Sequence, residues 1–338
     1  MAPGTFARAR PIAAAAQDSL EMGMAQRDDL QNKLVVLIGG SGFIGSHVAQ
    51  DLLRRGARLR IAARNPEQAY NLRPLANLGQ MQFARCDVTK RDSIAHAMQG
   101  ADAAAYLVGT FGKQAQALQA DGAGMAASYA AQQGATAFTY VSAIGAEAGS
   151  DSLYARSKAD GERQVLEAFP AATILRPSVL FGEDDQFINM FARLISQFPL
   201  LPVFGAEARL QPVWVDDVAA AVTAALTDPQ QHGGKTYELA GPDVLTMGEI
   251  NRRLAAAQGR DRKFWNVPDG LAGVFASLPG TPMGPDQWKL LQRGSVASGA
   301  MPGLADMGIT PHPLSLFLER WMLRYRKAGR FGIKTESA

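Results

Sequence analysis

Residues 35–47 read VVLIGGSGFIGSH. An uninterrupted apolar run meets three glycines, Gly39, Gly42 and Gly45, and passes into residues of helical periodicity that stop at Gly56. The pattern predicts a strand buried on both faces, a tight turn and a helix. Each glycine has its own reason to be there. Gly39 lets the chain turn sharply out of the strand. Gly42 lets a pyrophosphate approach the helix N-terminus, and Gly45 lets the helix lie close to the sheet. Unpaired N–H groups and the helix dipole make that N-terminus attractive to an anion.

Outward from this stretch, strand and helix signals alternate. RLRIAAR (58–64), MQFARCD (81–87), ADAAAYLV (101–108), ATAFTYVS (135–142) and AATILRP (171–177) read as strands. RDSIAHAMQG (91–100), residues 114–134 and residues 153–170 read as helices. Apolar strands joined through helices mean a parallel sheet covered on both faces. The fold class is α/β, a doubly wound parallel sheet of the Rossmann type. Beyond about residue 180 the rhythm loosens. Helices are expected over 183–198, 216–229 and 246–259, a strand over 235–241, and a Pro- and Gly-rich stretch over 266–313. This gives a nucleotide-binding lobe over 31–182, a smaller C-terminal α/β lobe over 183–325 interleaved with it, and a basic tail over 326–338.

Composition narrows the function. With 338 residues, 47% of them hydrophobic, the chain has ample material for a large core. A net charge of +3 is too mild to imply nucleic acid as a partner. The one cysteine, Cys86, excludes an internal disulfide and sits in a strand, where it reads as a small buried hydrophobe. No apolar run is long enough to span a bilayer. Residues 1–30 are Ala-rich, carry Arg8 and Arg10, and have no acid before Asp18. They are expected to be a disordered or targeting extension, with Met24 as an alternative start.

The end of the second strand bears on the nucleotide. An acid there would bind the 2′-hydroxyl of NAD; here Arg64 stands instead, and a guanidinium grips a 2′-phosphate with two hydrogen bonds. NADPH is therefore expected over NADH. Asp87 is placed to accept from the adenine amino group, and Leu107–Gly109 to pass under the cofactor. Tyr154 and Lys158 lie four residues apart on one helix face. Lys158 would lower the Tyr154 hydroxyl pKa and hold the nicotinamide ribose, Tyr154 would exchange a proton, and Ser142 would help hold a carbonyl.

From about Lys33 to Gly182 the chain resembles the extended and atypical short-chain dehydrogenase/reductases, through GGSGFIG, CDV, YVSAIGA, YARSK and ILRPSVLFG. NLRPLANLGQ (71–80), RPSVLFGEDDQFIN (176–189), LQPVWVDDVA (210–219) and MPGLADMGI (301–309) are similar to one branch of them. That branch is the NAD(P)H-binding accessory subunits of respiratory complex I, the NADH:ubiquinone oxidoreductase. The resemblance covers about 33–325. It implies a nucleotide, usually NADPH, held away from the electron path, and a role in stabilising or assembling the peripheral arm with other complex I subunits. It implies no independent turnover. It places the protein peripherally on the inner membrane, on the cytoplasmic face in a bacterium or the matrix face in a mitochondrion. The cofactor positions it implies are Gly39, Ser41, Gly42, Phe43, Ile44, Gly45, Arg64, Asp87, Val88, Leu107, Gly109, Ser142, Tyr154, Lys158 and Pro177, with Ser178 bordering the nicotinamide. Ser142, Tyr154 and Lys158 are all present, so a free NADP-dependent reductase or epimerase is the alternative, and a redox-sensing regulator a third reading. The short spacing from Ser142 to Tyr154 removes loop length that would shape a substrate pocket, which suits a pair that only clamps the ribose.

The C-terminal lobe offers less. Asp216 and Asp217, beside Trp214, could serve as a general acid or base but read first as caps of a helix N-terminus. His47, His96, His232 and His312 are scattered without metal-ligand spacing, so no metal is expected. Leu314, Phe317, Leu318, Trp321 and Tyr325 fall at helical spacing, amid Arg320, Arg324, Arg326, Lys327, Arg330 and Lys334. They read as a final helix that docks on its own core with a solvated basic face, or as an anchor on partner subunits or an anionic lipid surface; the resemblance favours the anchor for the residues beyond about 325.

Overall fold

The structure, a computed structural model, describes residues 30–278, 281 and 283–327. The expected N-terminal extension and most of the basic tail lie outside these residues. Six strands follow the sequence reading: β1 (Leu34–Ile38), β2 (Arg58–Ala63), β3 (Met81–Arg85), β4 (Ala103–Tyr106), β5 (Ala137–Val141) and β6 (Thr173–Pro177). A seventh, β7 (Thr236–Leu239), pairs with β6, so the strand assigned by sequence to the smaller lobe completes the main sheet. All seven are parallel, in the order β7-β6-β5-β4-β1-β2-β3. The order reverses direction between β1 and β4, which opens a crevice at their carboxyl ends.

Alternation along the strands sorts the core into two layers. Val35 and Leu37 of β1, Leu59 and Ile61 of β2 and Ala103 and Ala105 of β4 face one side. There they meet α1 (Phe43–Arg54) and α6 (Val215–Thr227). Val36 and Ile38, Ala62, and Ala104 and Tyr106 face the other. That side is covered by α2 (Arg91–Met98), α3 (Gly122–Gln132) and α4 (Leu153–Ala168). The alanines of α3 are buried along nearly its whole length, which lets it sit close on the sheet.

The chain leaves the sheet after β6, begins a second core, returns for α6 and β7, and leaves again to complete it. The second core gathers α5 (Phe187–Gln197), α7 (Met247–Ala257) and α10 (Ser315–Trp321). Between them lie α8 (Asp269–Ser277), α9 (Pro285–Arg293) and a two-stranded parallel ladder joining Leu200–Phe204 to Lys263–Val267. Leu314, Leu318, Trp321 and Met322 close this core, so the apolar stripe of the final helix docks on its own chain. Among the described residues no helix is long and apolar enough to cross a membrane.

Candidate functional site

The glycine loop has the geometry its spacing predicts. Gly39 adopts φ +82°, the left-handed region, as the chain leaves β1. A Cβ there would lie 3.1 Å from Val108 Cγ2, so the loop rests directly against the end of β4. A Cβ on Gly45 would fall 2.5 Å from Gly40 Cα; helix and loop meet backbone to backbone. Gly42 is the opposite case: it is exposed at the N-terminus of α1, and a Cβ there would meet only the Gly39 carbonyl, at 3.2 Å. No side chain caps that N-terminus, so its N–H groups face the crevice for a phosphate to use. A pyrophosphate therefore fits this cradle.

Around the cradle stand the other expected residues. Arg64, exposed at the end of β2, makes no ion pair among the described residues. Asp87, after β3, is shaped by Thr89, whose N–H and hydroxyl donate to Oδ1 at 3.1 and 2.8 Å. Those bonds hold its carboxyl below the usual range. Val88 and Leu107 are buried beneath the crevice and Gly109 is exposed at its edge. Gly109 lies beside Lys158: a Cβ on it would be 4.0 Å from Nζ. Ser41 and Ile44 are part-exposed on the loop and first turn of α1, and Phe43 packs edge-on against His47 at 5.4 Å. Pro177 ends β6 and accepts from the Ile144 N–H at 3.0 Å, while the Ser178 hydroxyl is spent on the Ser295 carbonyl at 2.8 Å.

Lys158 is the most constrained group. It is 2% exposed, and Nζ donates to the Val141 and Val108 carbonyls at 2.8 and 3.1 Å. Those carbonyls end β5 and β4, so the ammonium sits at the crevice floor. Burial pushes its pKa down to about 7, against a smaller upward pull from Glu162. Tyr154 lies one turn earlier, stacked on Phe111 at 4.6 Å, with Lys158 Nζ 5.9 Å from its ring. Burial pushes its hydroxyl up to about 12, so the expected lowering of the tyrosine pKa is not what this arrangement produces. A lysine that is itself half neutral near pH 7 exerts little pull on a neighbour. The Ser142 hydroxyl donates to Glu162, which is clamped in a buried bidentate pair with Arg176 at 2.8 and 2.6 Å. The hydroxyl assigned by sequence to a carbonyl is thus engaged below the crevice floor, and the next residue, Ala143, has none.

Several positioning residues escaped the sequence reading. Asp286, on α9, accepts from the Leu153 and Tyr154 N–H groups at 2.9 and 3.0 Å and so holds the start of the tyrosine helix from the second lobe. Gln119 receives the Thr110 N–H and donates to the Ser157 hydroxyl, tying the end of β4 to α4. Gly40 and Phe111 are the close partners of Gly45 and Tyr154. Only Gly40 left a trace in the sequence, as a doubled glycine; the rest are long-range contacts with no local signature.

Asp216 and Asp217 correct an expectation. They occupy the first turn of α6, yet no side chain caps that helix. Asp216 instead pairs with His47 on α1. Asp217, 3% exposed, takes both the backbone N–H and Nδ1 of His312 at 2.8 Å. The two carboxylates face segments that only tertiary folding brings near, around a cavity of about 360 Å³ separate from the glycine loop. Among the described residues no group of three or more His, Cys, Asp or Glu has metal-binding geometry. Cys86 is buried, and desolvation pushes its thiol up to about 11, which leaves it protonated and unreactive.

A doubly wound sheet with a glycine cradle, a buried lysine one turn from a tyrosine and an irregular second lobe defines a nicotinamide-dinucleotide protein, and the chain belongs to the NAD dependent epimerase/dehydratase family, whose model matches residues 35–240. Within that class it is similar to the NADH dehydrogenase [ubiquinone] 1 alpha subcomplex subunit 9, mitochondrial, of Arabidopsis thaliana. The two are 29% identical over 327 residues, 91% of this chain and 81% of the relative. It is also 29% identical to a ceramide reductase of Caulobacter vibrioides, over 74% of this chain and 80% of that one. The fold matches the Thermus thermophilus UDP-glucose 4-epimerase complexed with NAD at a TM-score of 0.64 and 19% identity, over 87% of this chain and 99% of that one.

Proposed function

We propose that this protein is an accessory subunit of respiratory complex I that keeps NADPH as a structural part and stabilises the peripheral arm near the membrane. One observation carries the reading: the similarity to the alpha subcomplex subunit runs through both lobes, over 91% of the chain, rather than through the nucleotide fold alone. In this reading Gly39, Gly42 and the N-terminus of α1 receive the pyrophosphate. Arg64 holds the 2′-phosphate and Asp87 the adenine amino group, while Lys158 and Tyr154 clamp the nicotinamide ribose above Leu107–Gly109, beside Pro177. NADPH when bound supplies a hydride donor, but the side chains around it favour retention over turnover. Ser142 is committed to Glu162, and Tyr154 is a weak acid with a hydroxyl near 12. The partners are other complex I subunits, and the basic tail beyond about 325 meets them or an anionic lipid surface. The location is peripheral on the inner membrane.

The test is mild-detergent extraction of membranes, native separation and a nucleotide assay on the same fraction. Co-migration with NADH:ubiquinone oxidoreductase activity, with stoichiometric NADPH, is the expected result. The similarity to the ceramide reductase favours the second reading, a free NADP-dependent reductase using Tyr154 and Lys158. A soluble protein with freely exchanging cofactor and no large partner would establish that reading instead.

A further inference from the structure

Among the described residues, the second lobe leaves one apolar face without a cover. In the ladder joining Leu200–Phe204 to Lys263–Val267, side chains alternate between two faces. Leu201, Val203 and Phe264 turn into the lobe's core, whereas Leu200, Pro202 and Trp265 turn outward. Helix α8 covers only the far end of the outer face. There Phe275 stacks on Phe204 at 4.8 Å, and Ala272 and Ala276 pack with Val267 and Trp288. The opposite side of α8 carries Leu271 and Val274 and, one turn on, Leu278, a single stripe at helical spacing. Leu200, Trp265, Leu271, Val274 and Leu278 are each more than half exposed, and Phe198 nearly so. Scattered exposed leucines are ordinary; four large apolar residues on one ladder and the helix packed against it, with Phe198 and Leu278 at the adjoining helix ends, are not.

The charge at this end of the lobe is distinctive as well. Three arginines end on carbonyl oxygens rather than carboxylates: Arg260 on Tyr325, Arg262 on Ile195 and Arg326 on Ala257. Such bonds fix the side chains, and none of the three pairs with a carboxylate among the described residues. Partial burial and the neighbouring Arg262 hold Arg260 below its ordinary pKa, as expected for cations gathered without counter-charge. Arg193, Lys263 and Lys327 add three exposed cations, and the acids on the stretches that carry these residues are Asp261, Asp269 and Glu319. The ladder starts here, at Leu200 and Lys263, and the described residues end near here, at Lys327.

We propose that this side of the lobe, the α8 stripe of Leu271, Val274 and Leu278 together with the outward Trp265 and Leu200 and the cations at the ladder's start, docks on the anionic surface of a phospholipid bilayer. An apolar helix face beside a tryptophan, flanked by cations, is the composition that settles at the boundary between headgroups and acyl chains. The cations come from three separate chain segments and pair with no carboxylate among the described residues, which suits diffuse negative charge over a single complementary protein patch. The proposal deepens the membrane-side placement above, but it does not depend on the nucleotide or on assembly into a larger complex.

The test uses the full chain and sedimentation with vesicles of phosphatidylcholine alone or mixed with phosphatidylglycerol. The wild type is expected to sediment with the mixed vesicles, less so at high salt, and to ignore the neutral ones. The triple variant Trp265→Ser, Leu271→Ser, Val274→Ser changes exposed side chains only, so its thermal melt should match the wild type. Its partition coefficient should fall about tenfold or more. The apolar replacement Leu271→Met, Val274→Leu should retain binding. No sedimentation of the wild type with the anionic vesicles overturns the proposal. So does a triple variant that binds as well as the wild type, including the case where Arg330→Gln, Lys334→Gln abolishes binding, because the tail would then act alone. Lys158→Met should leave vesicle binding intact, so failure of the nucleotide reading and failure of this one are told apart.

Discussion

Replacing Lys158 by Met separates the electrostatic cost of this site from its hydrogen bonds. The lysine pKa falls from its ordinary 10.5 to about 7 because the ammonium is buried. Below about pH 7 both the folded and the unfolded chain carry the proton, and the folded protein bears the full penalty of the buried cation. Between about 7 and 10.5 the folded lysine is neutral while the unfolded one is still charged. The unfolded state binds more protons there, so wild-type stability rises with pH by about 1.4 kcal/mol per unit relative to the variant. From pH ~7.5 to ~9.5 the gap between the two should move by about 3 kcal/mol. Methionine also strands the Val108 and Val141 carbonyls, a loss of about 1–3 kcal/mol that is independent of pH. The assay is urea unfolding of nucleotide-free protein, followed by circular dichroism across that range. With saturating NADPH, ribose hydroxyls facing the ammonium favour its charged form, and the pH slope of the wild type should flatten. Parallel wild-type and variant curves without nucleotide would refute the reasoning, since they would mean that Lys158 titrates normally.

Three further outcomes are expected. Gly45→Ala places a methyl group 2.5 Å from Gly40 Cα, so α1 must shift; a loss of about 3 kcal/mol in urea unfolding is expected, whereas Gly42→Ala should fold normally and only weaken nucleotide retention. Arg64→Ala should lower NADPH affinity by about tenfold to a hundredfold and leave NADH affinity unchanged by calorimetry; an equal loss for both would remove Arg64 from the 2′-phosphate. Arg176→Met leaves Glu162 buried without its cation and should cost about 3–5 kcal/mol in chemical unfolding, much of it recovered in the double variant with Glu162→Gln.

The nucleotide lobe was legible because its signals are local. Continuous apolar strands, helical spacing and three glycines at one junction each act over a few residues, and the structure follows them almost element by element. The second lobe was less legible because its elements depend on distant partners. Thr236–Leu239 carries the same strand pattern whichever sheet it joins, and only its pairing with β6 decides the matter. Asp216 and Asp217 looked like caps because two acids at a helix start usually are. Their carboxylates went to His47 and His312, from far along the chain on either side.

The sheet, the phosphate cradle and the residue types that ring it follow from short segments, since periodicity and glycine placement are local properties. How those residues behave depends on the folded surroundings. Burial moved Lys158 to about 7 and Tyr154 to about 12, and the Glu162–Arg176 pair drew the Ser142 hydroxyl away from the crevice. Asp286 reached across from the second lobe to hold the tyrosine helix. Desolvation and long-range hydrogen bonds have no local code, because each depends on what the rest of the chain places around a group.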